Sequence, residues 1–268
     1  MISRSILSRG IFSNSTQKGF NTALNTRSIH TVPSLTRKVD LAREGIPGLY
    51  SAKGFNTAWT DYQTVTLNRL SELTVETENE TRSPFHIIQN TSKKIESASV
   101  FNYASQALNN HFYFESINYE NETITKPSPE LLKKINEAFG SLDDFRLDFL
   151  RAADEHLGNG WVFLVESPEK SLYILATNNA GSPYTIGRSQ ILDFNTPYTS
   201  ESLEALEQIR DGVMTQEKDW PCPLLAVNVW QYAYTSDYSV TGKADFLENW
   251  WNKINWDIVN KRLYTGPE

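Results

Sequence analysis

Apolar residues recur at helical spacing from Phe55 onward: Phe55, Trp59 and Tyr62, then Leu67, Leu70 and Leu73. Residues three and four apart share one helix face, so this stripe predicts a core-facing helix. Val39 to Gly54 before it, punctuated by Gly45, Pro47 and Gly48, reads as extended or loop. Thr74 to Arg82 after it is polar and acidic, a solvated loop that Ser83-Pro84 is expected to close. A second helix is predicted from about Ile95 to Tyr113, with Val100, Ala104, Ala107, Leu108 and Phe112 on its apolar face. Gln106, Asn109, Asn110 and Tyr113 form a polar stripe on the same helix. It faces either solvent or a polar interior pocket.

Two further helices carry their own start and stop signals. Ser128-Pro129-Glu130 offers an N-cap, a proline at the first helical position and an acid in the first turn. Gly140 ends that helix. Ser141 to Asp144 resembles a capping box that opens the next helix, and Gly158 stops it. The period then changes. Trp161–Val165 and Leu172–Ala176 are short continuous apolar runs joined by Ser167-Pro168-Glu169-Lys170, a β-hairpin signal. Leu224–Val227 is the third strand candidate. Between them lies a polar insert, 184–220, with helical spacing over 202–214. Phe246, Leu247, Trp250 and Trp251, continued by Trp256, Ile258, Val259 and Leu263, predict a terminal helix. The class implied is α+β: a helical N-terminal half, then helices with a small antiparallel sheet.

Charge divides the chain. Residues 1–38 hold six basic side chains (Arg4, Arg9, Lys18, Arg27, Arg37, Lys38) and no acid. Of the 25 basic residues this leaves 19 against 32 acids, so the body is near −13. A basic, Ser- and Asn-rich leader without acids has the composition of a mitochondrial transit peptide and is expected to stand outside the fold. The alternative is a disordered basic tail. An acidic body disfavours broad nucleic-acid contact. No apolar run approaches the ~20 residues that span a bilayer. The single cysteine, Cys222, lies between two prolines and reads as a loop residue entering the third strand rather than a nucleophile. It cannot make an internal disulfide.

Several blocks resemble iron/manganese superoxide dismutases. Val229, Trp230, Ala233, Tyr234, Asp237 and Tyr238 fall in register with that family's C-terminal metal-binding signature. Phe101 to Phe114, Gly158 to Val165, Asn179 to Pro183 and Phe246 to Trp256 match further blocks in the same order. The resemblance covers roughly Gly45 to Tyr264. It implies the family's α+β fold: an N-terminal helical hairpin (39–117), then helices packed on a three-stranded antiparallel sheet (118–268).

The resemblance also implies where a metal would be held, by three His and one Asp. Here Asn110 stands at one His position, Asn228 at the Asp and Tyr232 at the last His. The first-helix His falls near Thr57, and no His occurs in that helix. His30, His86, His111 and His156 are the only histidines. His111 is one residue past a ligand position, turned about 100° away. No metal site, cofactor or catalytic residue is therefore expected. Gln106 and Trp161 match residues around the family's metal and are expected to fill the old cavity. Gln231 replaces a Glu that bridges the dismutase dimer. Fungal mitochondrial ribosomes carry small-subunit proteins on this fold with eroded ligands, and the chain resembles those. The implied role is structural, in the mitochondrial matrix, beside ribosomal proteins including a second dismutase-like chain, with limited rRNA contact and no membrane. The alternatives are a matrix dismutase with remodelled ligands and a binding module outside the ribosome.

Overall fold

The computed structural model describes residues 29–35, 40–120, 124–185 and 221–264. Strand β1 (Gly160–Glu166) is buried along its whole length and sits centrally between β2 (Leu172–Asn178) and β3 (Cys222–Asn228), both antiparallel to it. A strand covered on both faces needs the unbroken apolar run that Trp161–Val165 supplies. The third strand starts earlier than the run at Leu224 predicts, taking in Cys222 and Pro223. Pro223 has no N–H to give. It lies opposite Val165, where the register slips between Leu164 and Val165, and such an irregularity is where a strand tolerates proline. Cys222 is thus the first strand residue rather than part of the loop, and burial pushes its thiol pKa up, away from thiolate chemistry.

The N-terminal half is a helical hairpin. Its first rod runs through α2 (Ala52–Phe55), a π-helical turn (Asn56–Asp61) and α3 (Tyr62–Thr74), preceded by the single turn α1 (Leu41–Glu44). Its second is α5 (Ala98–Glu115), entered by a 3-10 turn at Ile95–Ser97. Between them stands α4 (Pro84–Thr91), where a loop closure was expected. Ser83 caps it and Pro84 occupies its first turn, the same device that opens α6 (Pro129–Phe139) at Ser128-Pro129. Of the expected capping box the Ser141 half is present, and Asp144 meets the Ser141 hydroxyl instead of its backbone N–H. Ser141 Oγ accepts from Asp144 N–H at 3.0 Å and donates to Asp144 Oδ2 at 2.6 Å, starting α7 (Leu142–Glu155).

After β3 come α8 (Gln231–Tyr238), α9 (Lys243–Trp251) and α10 (Trp256–Tyr264). The terminal helix expected as continuous is broken at residues 252–255. There the backbone turns to pair with the chain after α5: Asn118 N–H donates to Lys253 O and Asn255 N–H to Ser116 O, each 2.7 Å. The main core joins the sheet to an aromatic cluster including Phe149, Trp250 and Phe246, and it draws Leu41, Phe55, Trp59 and Phe114 from the N-terminal part. Packing is therefore continuous across Ile117. A smaller cluster of Leu67, Leu70, Ile87, Ile88 and Phe101 holds the hairpin. Residues 29–35, inside the stretch expected to stand apart, lie on the fold. The rest of that stretch except for these residues, and the segment 202–214 expected to be helical, lie outside the described residues.

One junction ties the two halves. Asp237 on α8 accepts from Ser51 N–H (2.9 Å) and Ser51 Oγ–H (2.6 Å), and Ser51 Oγ in turn accepts from Gly54 N–H. A Cβ on Gly54 would lie 1.9 Å from Asp237 Oδ2. Gly54→Ala should therefore cost about 1–3 kcal/mol through overpacking. A lower urea midpoint at unchanged slope is the expected readout. An unchanged midpoint would show that the junction yields freely.

Candidate functional site

Three elements converge on the positions where the dismutase resemblance puts a metal. The π turn and the start of α3 bring Ala58, Tyr62 and Gln63. Helix α5 brings Gln106 and Asn110. The end of β3 and the start of α8 bring Asn228, Trp230 and Tyr232. Asn228 Nδ2 donates to Tyr232 OH at 2.9 Å and to Asn110 Oδ1 at 3.3 Å. Asn110 Nδ2 donates to Gln63 Oε1 (3.1 Å) and to the carbonyl of Ala58 (3.2 Å). Gln63 Nε2 donates to Ala107 O at 2.9 Å. Asn228 Oδ1 accepts from Trp230 N–H at 2.9 Å, and this local bond turns the chain out of β3. Asn110 and Asn228 are both fully buried.

The local backbone explains part of this arrangement. A π turn shifts the helical bonding register by one residue, and the carbonyl of Ala58 within it accepts the Asn110 amide. Tyr232 lies flat on Tyr62, with ring centroids 3.8 Å apart and planes at 15°. Tyr62 OH donates to Gln106 Oε1 (3.1 Å), and Gln106 Nε2 donates to Asn179 O (2.9 Å). Burial, then the neighbouring Tyr62, pushes the Tyr232 phenol well above its ordinary pKa. Burial pushes Tyr62 up to about 12. Both rings are neutral phenols at physiological pH.

These donors do not fit a redox metal. Each amide oxygen in the centre already accepts a hydrogen bond: Asn110 from Asn228, Gln63 from Asn110, and Asn228 from Trp230. The amide nitrogens present protons rather than lone pairs, and neither phenol is ionised. The other histidines point elsewhere. His111 packs on Trp59 and reaches Glu115 at 3.5 Å, as its one-residue offset predicts. His86 bonds Ser83 within α4, and His156 bonds Asn159 O at the end of α7. Among the described residues no group of three or more His, Cys, Asp or Glu is placed to hold an ion.

The structure brings Asn110, Asn228, Tyr232 and Gln106 together, as the sequence reading proposes. Thr57 takes no part in these bonds; from the first helix it is Ala58 O and Gln63 that reach Asn110. Gln63 is the residue the sequence reading passed over. A signal existed: it sits midway between Trp59 and Leu67, four residues from each, a polar side chain inside an apolar stripe. The apolar spacing puts Tyr62 on the helix's core-facing stripe; in the structure it stacks on Tyr232. Trp161 is fully buried beneath the site, its indole N–H without a hydrogen-bond partner. Gln231 is exposed, its backbone N–H held by Asn159 Oδ1. Beside the network opens a cleft of about 440 Å³, lined by Tyr62, Asn102, Tyr103, Gln106, Asn179 and Trp230 among others.

Comparison with known proteins bears on this geometry. The profile of the C-terminal domain of iron/manganese superoxide dismutases matches residues 127–196 and 196–262. Small ribosomal subunit protein mS43 of Schizosaccharomyces pombe is 30% identical over 240 residues, covering 87% of this chain and 84% of the relative. The chain belongs to the iron/manganese superoxide dismutase family. Small ribosomal subunit protein mS42 of the same organism is 31% identical over 190 residues, covering 68% of this chain and 74% of that one. The iron superoxide dismutase of Entamoeba histolytica is 30% identical over 197 residues, covering 74% and 82%. Within this dismutase family, then, the chain carries amides and a phenol where the metal signature has imidazole and carboxylate.

Proposed function

We propose that this chain is a structural protein of the mitochondrial small ribosomal subunit and does not dismute superoxide. The observation that carries this is the uncharged network of Asn110, Asn228, Gln63 and Tyr232, in which the amide nitrogens present protons, each amide oxygen already accepts a hydrogen bond and the phenol is not ionised, a donor set unsuited to iron or manganese. Likeness to mS43 and mS42 over most of the chain supports the ribosomal assignment. The acid-free basic leader supports delivery to the mitochondrial matrix. A body near −13 favours protein neighbours over extensive rRNA contact.

The partner includes a second dismutase-like chain. The surface around Gln231 and Asn159 is where the family's dimer bridge runs, and Leu157 beside it is 94% exposed. Gln231 lacks the charge of the bridging Glu, and Tyr232 lacks the imidazole that received it. A symmetric bridge is therefore lost while the surface is kept.

Tagged protein in a mitochondrial lysate should sediment with the small subunit. Recovery only in free, light fractions overturns the assignment. Metal analysis of the purified chain should find iron and manganese well below one equivalent, and a chelator should leave its melting midpoint unmoved. Stoichiometric metal with dismutation activity would restore the enzymatic alternative.

A further inference from the structure

We infer that the mature protein keeps residues 29–35 as a strap across its fold and that the presequence is cut ahead of Ile29. The cleavage half of this rests on the mitochondrial reading above; the strap rests on contacts alone. His30 is buried although it lies within the leader composition. Its backbone N–H donates to Ser71 Oγ at 3.1 Å, and its Nε2 lies 3.3 Å from Thr74 Oγ1. Thr74 already donates its hydroxyl proton to Leu70 O at 2.8 Å, so its oxygen accepts from the His30 ring N–H. Burial lowers the His30 pKa and keeps the ring neutral in this pocket. Five residues on, Leu35 packs against the main core. The strap thus runs from the last turns of α3 to the core that carries the sheet.

Charge gives a second, independent sign. Arg4, Arg9, Lys18 and Arg27 precede the strap, Arg37 and Lys38 follow it, and the nine residues from Ser28 to Thr36 between them carry no Lys, Arg, Asp or Glu. A basic targeting segment cut after Arg27 would leave this uncharged stretch to lie on protein. Cutting later than His30 would remove these bonds and uncover the buried Ser71 and Thr74 side chains.

Two measurements separate the parts of this inference. The first is the N-terminus of C-terminally tagged protein recovered from mitochondria, read by mass spectrometry of the terminal peptide. A first residue between Ser5 and Ile29 is expected. A terminus at His30 or beyond overturns the inference, and a terminus from Met1 to Arg4 retained inside mitochondria overturns the cleavage while leaving the location standing. The second is a thermal melt of the full-length chain carrying both His30→Ala and Leu35→Ala. Its midpoint should fall by about 4 °C or more, whereas Thr31→Ala with Ser34→Ala, both at exposed positions, should move it by about 1 °C or less. Equal midpoints for the two pairs overturn the strap. Protein found only outside mitochondria overturns the location reading, and the melt still decides the strap.

Discussion

Asn228→Asp should destabilise the fold by about 3 kcal/mol or more at pH 7, although it restores the residue that the family's metal signature carries there. Asn228 is fully buried, and its Nδ2 donates to Asn110 Oδ1 and Tyr232 OH. A carboxylate has no proton for Asn110, so two acceptor oxygens would face each other in a dry site. Among the described residues no cation bonds to the network to compensate. Moving an ion into such a place without a partner costs several kcal/mol, and the group escapes by holding its proton.

The pH dependence follows with a definite sign. Burial raises the folded-state pKa of the introduced Asp above its unfolded value of about 3.9. The folded variant then binds more protons than the unfolded chain between those two values. The penalty relative to wild type is full above the folded pKa and shrinks as pH falls toward about 4. Urea titrations of both chains at pH 7 and pH 5 measure that gap. A gap that is absent, or that widens on acidification, would mean that the site already accommodates negative charge, and the neutral-network account would fail.

The parts of this site that periodicity and family spacing reveal are the ones fixed by chain-local rules. Asn228 ends a run of strand residues and turns the chain with its own side chain. Asn110 falls on a polar stripe at helical spacing with Gln106 and Tyr113, and all three are buried. What stayed hidden was decided by contacts between distant segments. Gln63 looks like an error in an apolar stripe until Asn110 is placed against it. Ser83-Pro84 can end a loop or begin a helix. Its neighbours Ile87 and Ile88 decide for the helix by burying themselves in the hairpin cluster. The break between α9 and α10 has no glycine or proline to announce it. It exists because backbone groups after α5 pair with residues 253–255. The start of β3 at Cys222 is concealed by Pro223, which propensity alone excludes from a strand and which a slipped register admits.

Arg262→Met should cost about 2–3 kcal/mol, by taking a charged donor away from buried acceptors. Its guanidinium joins three segments that are far apart in sequence. Nη1 donates to Ser116 Oγ (2.7 Å) and to Leu224 O (3.1 Å); Nη2 donates to Phe112 O (3.1 Å) and Glu115 Oε2 (3.2 Å). The Leu224 carbonyl lies on β3, which ends the sheet, so Arg262 covers an edge that would otherwise lack a donor. The Phe112 carbonyl belongs to the last turn of α5, where a cation complements the helix dipole. The guanidinium also sits 3.5 Å over the Phe112 ring. Burial lowers its pKa to about 10, opposed by Glu115, so it remains charged at pH 7. Glu115 is half exposed, and solvent screens most of that pair. Phe112 O keeps a donor in Ser116 Oγ–H at 2.8 Å, so the loss comes chiefly from the Leu224 carbonyl left without its guanidinium donor rather than from the ion pair. Two further variants test this division. Glu115→Gln should cost under about 1 kcal/mol. Arg262→Lys, a point charge without the planar fork, should recover only part of the Arg262→Met loss. If Glu115→Gln matched Arg262→Met in denaturant titrations, the ion pair would be the larger contributor and the carbonyl account would be wrong.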